Sequence, residues 1–311
     1  MLGVVQVAIN TVDMPGSLRF YSEAFGFRNA GGQCNWGKVL HVQGLGEEGR
    51  GLLWWLTGRQ DFFQLELFHY TEPKQRPMAA DWRASDHGWT RIGVAVADFD
   101  GCMAIVERDK VTMMGCSGKK GARRAAIRDP FAGMVIEIIE IEGDPAEGPQ
   151  VVYATSSVSD LESAREFYAN QLGFEILPLE TLHAPEDEAL WGLAGAQRQG
   201  FVAKGANDVR IEVLRYDQPV GRPKDKAGKI TDQGIMNLAI GSRSVAEVSQ
   251  ALDTLKKNGL VPPLKVSAGN NICAYILDRE RELEFAAYPE GADDLYGFKP
   301  ATIDFFGAII K

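Results

Sequence analysis

Val5, Val7 and Ile9 alternate with their neighbours at the start of the chain, the period of a strand with one buried face. Asp13 then stands as a helix N-cap, and Leu18, Phe20, Tyr21 and Phe25 recur at helical spacing up to Gly26. Apolar segments at 38–42, 52–56 and 62–68 read as strands. A second unit repeats this order, with a strand at 90–96, a helix from Phe99 to Arg108 and a strand at 134–139. A third opens at Val151, where Ser159 and Glu162 have the spacing of a capping box, and a fourth at Met236, where Ser244 and Glu247 do the same. Each unit is predicted to run strand, helix, then several strands.

The units are related by a longer repeat. Asp13, Phe20-Tyr21 and Phe25-Gly26-Phe27 return 147 residues later as Asp160, Phe167-Tyr168 and Leu172-Gly173-Phe174. Glu66, Pro73, Arg76 and Pro77 return 146 residues later as Glu212, Pro219, Arg222 and Pro223. Such a repeat sets the architecture, with two units in each half and clefts lined by equivalent positions. Residues 142–149 have the composition of a linker, which divides the chain into regions 1–143 and 150–311. The tail after Pro289 carries Phe305 and Phe306, anchors for packing back or for a contact between copies in a homo-oligomer.

Composition narrows the function. A hydrophobic share of 45% supports a large core, while a net charge of −9 argues against a nucleic-acid partner. No apolar run reaches membrane-spanning length, and no signal stretch opens the chain. The four cysteines lack metal-type pairing, and Cys116 has no flanking activator. A cytoplasmic protein with a small-molecule ligand, and neither nucleic acid nor membrane as partner, is the expectation.

Four βαβββ units whose helices end in Phe20-Tyr21…Phe25-Gly26-Phe27 and Phe167-Tyr168…Leu172-Gly173-Phe174 resemble the vicinal oxygen chelate superfamily. That group includes glyoxalase I, extradiol dioxygenases and bleomycin-resistance proteins. Residues 188–195, echoed at 53–58, carry the same likeness. The resemblance implies an α+β fold of two glyoxalase-like or dioxygenase-like regions with U-shaped mixed β-sheet clefts. It also implies metal ligands on the first strand of a unit, usually His, and on the last, usually Glu. The first-strand positions are Gln6, Arg91, Tyr153 and Asn237, and the last-strand positions are Glu66, Glu137, Glu212 and Glu284. All four acids are present, and none of the first-strand residues is His. None of His41, His69, His87 and His183 falls at a ligand position.

Without imidazole, Gln and Glu make an oxygen-rich site suited to hard cations, and the classical iron site of ring cleavage is not expected. The resemblance leaves the cofactor as one divalent metal (Fe, Mn, Zn, Ni or Mg) or none. If neighbouring units pair, Arg91 sits between Glu66 and Glu137, replacing a cation or binding an anionic substrate group. Tyr153, Glu212, Asn237 and Glu284 then form a second cleft suited to proton abstraction beside a carbonyl, with Glu284 or Glu212 as base. If the first unit pairs with the fourth, Gln6, Glu66, Asn237 and Glu284 meet instead. Both pairings stay open. Trp54 and Trp191 are candidates to contact an apolar or aromatic ligand, although such residues more often serve simply as core. The function expected is an isomerase, lyase or atypical ring-cleavage enzyme acting on an aromatic or carbonyl-bearing metabolite. The alternative is a non-catalytic protein that sequesters a hydrophobic compound.

Overall fold

A computed structural model describes residues 1–302 apart from 263, 269–270 and 278–279. Phe305 and Phe306 lie outside the described residues. The first unit contains β1 (Gly3–Asn10), α1 (Met14–Phe20), β2 (Arg28–Trp36), β3 (Arg50–Thr57) and β4 (Gln64–Glu72). The second contains β5 (Gly88–Val96), α2 (Phe99–Arg108), β6 (Met113–Ser117), β7 (Arg124–Arg128) and β8 (Val135–Glu140). The third contains β9 (Gln150–Ser157), α3 (Leu161–Glu166), β10 (Glu175–Leu177), β11 (Gln197–Lys204) and β12 (Arg210–Gln218). The fourth contains β13 (Gly234–Ser242), α4 (Val245–Lys257), β14 (Lys265–Ala268), β15 (Asn271–Ile276) and β16 (Leu283–Ala287).

The strands form two eight-stranded sheets, in the orders β14-β15-β16-β13-β1-β4-β3-β2 and β10-β11-β12-β9-β5-β8-β7-β6. Of the two pairings, the structure has the first unit with the fourth and the second with the third. The centre of each sheet is an antiparallel joint between first strands, β1 with β13 and β5 with β9. Each sheet therefore draws on both sides of the linker. One face of each packs on the helices in a shared core that includes Val4, Val7, Ile9, Ile92, Leu238 and Ile240. The other faces inward as a cleft.

Local differences from the sequence reading have physical causes. The 38–42 segment is part of a 3-10 turn (Gly37–Gln43) rather than a strand, because Leu40 and Val42 pack on the cleft floor beside Tyr70 and Met236. The third helix is capped by Asp160, which accepts from the Ser163 amide, while Ser159 binds Glu280 instead. Asp13 and Ser244 cap their helices as expected. No helix among the described residues is long and apolar enough to cross a membrane.

Candidate functional site

The first-strand positions owe their aim to four β-bulges. Register shifts fall between Val4 and Gln6 and between Ala8 and Ile9 in the β1·β13 joint, leaving Val5 and Met236 as extra residues. In the β5·β9 joint they fall between Trp89 and Arg91 and between Gly93 and Val94, leaving Thr90 and Val152 extra. Each extra residue directly precedes one of Gln6, Asn237, Arg91 and Tyr153. A bulge turns the side chain that follows it, so all four positions gain the cleft face by one device.

In the sheet of units one and four, Gln6 Nε2 donates to Glu66 Oε2 at 2.6 Å and to Glu284 Oε2 at 3.3 Å. The amide thus bridges two carboxylates that are 6% and 3% exposed. Trp55 Nε1 donates to Glu66 at 3.1 Å, and Cys273 Sγ to Glu284 at 3.2 Å. Gln64 Nε2 donates to Gln6 Oε1 at 2.7 Å and holds the amide in place. Among the described residues neither carboxylate has an ion-pair partner. Burial raises the pKa of Glu66, and the Glu284 charge raises it further. Burial likewise raises that of Glu284. Two close carboxylates without a counter-charge favour one shared proton. Asn237, opposite Ala8 on the adjoining strand, is fully buried, and among the described residues neither its Oδ1 nor its Nδ2 has a hydrogen-bond partner.

The returning tail roofs this cleft. Phe298 packs on Val5 and Ala239, joined by Phe62, Tyr288 and Tyr296. Gly297 lies so close to Trp55 that any Cβ would overlap the indole.

The sheet of units two and three has the same skeleton and different chemistry. Arg91 Nη2 lies 2.5 Å from Glu212 Oε2, and His183 Nδ1 lies 2.6 Å from Glu212 Oε1. The other His183 nitrogen is 3.2 Å from Glu137, which also binds Arg124 and the Tyr153 hydroxyl. Arg198 pairs with Glu188 at 2.5 Å, Arg124 reaches Asp187 at 2.7 Å, and the Arg91 guanidinium stacks on Trp191 at 3.9 Å. Burial opposes the charged form of His183, but Glu212 and Glu137 outweigh it and raise its pKa. Burial also works against ionised Glu137 and Glu212, yet the surrounding cations lower both pKa values. Arg91, Arg124, Arg198 and His183 face Glu137, Glu212, Glu188 and Asp187, so each acid of this cleft has a basic partner.

The candidates are therefore sorted differently from the neighbouring-pair expectation. Glu212 and Tyr153 lie in one cleft, and Glu284 and Asn237 in the other, because β13 joins β1 rather than β9. Arg91 meets Glu212, not Glu66. Gln6, Glu66 and Glu284 do converge. Trp191 is buried in the ion network with its indole N–H on Glu188 at 2.7 Å. Trp54 packs in the helix-side core and donates to Asn29, whereas its neighbour Trp55 reaches the carboxylates. His183 lies in a loop between β10 and β11, away from the strand pattern that defines ligand positions. Its sequence offered only Leu182-His183 beside the acidic run 186–188.

Among the described residues no cluster of three or more His, Cys, Asp and Glu is arranged to hold a metal. A cation would have to recruit the amide oxygen of Asn237 beside Glu66 and Glu284, because Gln6 turns its N–H to both carboxylates and its Oε1 to Gln64. The unpartnered buried amide of Asn237 and the uncompensated carboxylates fit a small, hard divalent ion.

No protein-family model matches the sequence, and no curated protein matches it. Solved structures do. A candidate dioxygenase from Bacillus subtilis superposes with a TM-score of 0.65 at 12% identity, over 97% of this chain and 91% of that one. Glyoxalase I from Zea mays gives 0.60 at 14% identity, over 95% and 94%. The chain shares the fold of these dioxygenase and glyoxalase I structures.

Proposed function

We propose that the chain is a small-molecule enzyme of the vicinal oxygen chelate type, working at the cleft of units one and four. The reaction is proton transfer beside a carbonyl of an aromatic or carbonyl-bearing metabolite, an isomerase or lyase step. The observation that carries this reading is the contrast between clefts: one pair of acids is neutralised by Arg91 and His183, and the other is buried without a counter-charge. Carboxylates kept in that state have raised affinity for a proton, as a general base near neutral pH requires.

Glu284 is assigned as the base. Glu66, fixed by the Trp55 indole, holds the shared proton, and the Gln6 amide keeps both carboxylates facing one point. Asn237 is the donor placed to hold the substrate carbonyl. A hard divalent ion held by Glu66, Glu284 and the amide oxygen of Asn237 would supply polarisation of that carbonyl when bound. Around them Trp55, Tyr70 and Tyr275 exclude water. The tail residues that roof the cleft must part for substrate to enter.

The test is deuterium exchange, followed by NMR, of α-hydroxyketones, dicarbonyls and aryl ketones incubated with the protein in heavy water, with and without Mn(II). Wild-type protein should wash deuterium into a carbon next to a carbonyl, and Glu284→Gln should abolish it. Wild-type exchange in Glu284→Gln would remove the proposed base. Tight binding without exchange, unaffected by Glu→Gln changes, would favour sequestration of a hydrophobic compound instead.

A further inference from the structure

A cavity of about 490 Å³ lies between the clefts, where the two halves meet. Its walls are equivalent segments, 76–89 from one half and 222–236 from the other. The segments are locked by reciprocal forks: Arg76 on Asp232 and Asp225, and Arg222 on Asp86 and Asp81. Each fork joins one half to the other. The inner wall is apolar, built from Met78, Trp82, Trp89, Ile230, Ile235 and Met236. Met236 is also the partition towards the carboxylate cleft, where its sulfur takes the Tyr70 hydroxyl at 3.4 Å.

We propose that this cavity binds an uncharged, largely apolar small molecule at a site separate from the carboxylate pair. The volume falls in the range of small-molecule pockets, about 300–1,000 Å³. The charges around it select against ions. Besides the two forks, Lys224 pairs with Glu282, and His87 lies 3.0 Å from Glu280. Lys229, exposed at the rim, is the one lining charge for which the described residues supply no ion pair. The acids and arginines of the forks already pair with one another, so a charged ligand in the interior would lose its hydration without a free partner, which is costly. A neutral apolar ligand gains contact with the methionines, isoleucines and tryptophans and disturbs no pair. Because both halves contribute, its binding also fastens them together.

The experiment uses Nile red, an uncharged apolar dye, titrated into the full chain and followed by fluorescence. Wild type should show one saturable site, and saturating dye should raise its melting temperature. Met78→Trp and Ile230→Trp fill the cavity from opposite halves, and each should weaken binding by about tenfold or more, a loss of about 1.4 kcal/mol. Near-UV circular dichroism identifies a variant that fails to fold, and the other then carries the comparison. Trp36→Ser, at an exposed residue remote from the lining, should leave the affinity unchanged. Glu284→Gln should leave it unchanged too, which separates this site from the proposed enzyme site. Unsaturable binding, wild-type affinity in a folded filled variant, or loss of binding in Trp36→Ser overturns the proposal.

Discussion

One substitution, Glu→Gln, made at a last-strand acid of each cleft, should change stability in opposite directions. Glu212→Gln removes the anion that faces both Arg91 and His183, leaving a fully buried guanidinium with the Tyr216 hydroxyl at 3.2 Å and the Trp191 ring but no carboxylate hydrogen bond among the described residues. Breaking a buried pair from one side costs about 3–5 kcal/mol. Unfolding entropy is roughly 2.1 cal/mol/K per residue, or about 0.65 kcal/mol/K for 311 residues, so the melting temperature should fall by about 5–8 °C. Glu284→Gln removes one of two carboxylates whose folded pKa values are raised. A raised folded pKa contributes stability that is complete below the unfolded value and is lost as pH rises through the folded value. The substitution should therefore raise the melting temperature at pH 8 and do less at pH 5. The assay is scanning calorimetry of chelator-treated protein at both values. Equal falls for the two variants, or a Glu284→Gln effect independent of pH, would refute the electrostatic reasoning.

Further outcomes follow from the same contacts. His183 has a raised folded pKa, so its contribution is complete below about pH 6.5 and lost as pH rises through the folded value. Urea unfolding from pH 6 to 9 should show that decline, and His183→Gln should flatten it. Arg91→Met alone should cost about 3–5 kcal/mol in urea unfolding by removing the guanidinium from buried Glu212. Arg91→Met with Glu212→Gln should cost less than the sum of the two single changes, because neither leaves the other's charge unpaired. If the carboxylate pair takes up a hard cation, Mn(II) at about 100 times its Kd should stabilise wild type by about 2.7 kcal/mol. Calorimetry should show no such gain for Glu66→Gln.

Much of the fold was legible because the repeat and the strand-helix order are local properties. Asp13 and Ser244 predicted their helix starts, and the four last-strand acids all lie on inward faces. Ser159 misled because Asp160, one residue on, competes for the same cap. Pairing of the units was not legible: β1 and β13 are both buried along their length, and nothing in either strand names its partner. The bulges at Val5, Thr90, Val152 and Met236 exist only once those partners meet. His183 was hidden for a related reason. It reaches Glu137 and Glu212 from a loop, and loop side chains reveal their targets only through the path of the chain. Trp54 and Trp55 show the limit of composition, since adjacent residues on a strand face opposite ways and only one can serve the cleft.

The joints between halves carry a last consequence. All eight residues of β1 and all nine of β13 are buried, and so are all nine of β5. Units one and two, taken alone, would expose the β1 and β5 edges together with the apolar faces that β13 and β9 cover. Open apolar edges of this kind pair with other chains rather than remain solvated. Arg76 would lose Asp232, and Asp86 would lose Arg222, although pairs made by solvent-exposed arginines like these contribute only about 0–1 kcal/mol each. The strand joints, not the salt bridges, are therefore what make each half depend on the other. Residues 1–148 and 149–311 expressed separately should aggregate, and co-expressed they should assemble one to one with a single unfolding transition. A stable monomer of residues 1–148 with cooperative unfolding would show that a half closes its own core, and the composite-sheet argument would fail.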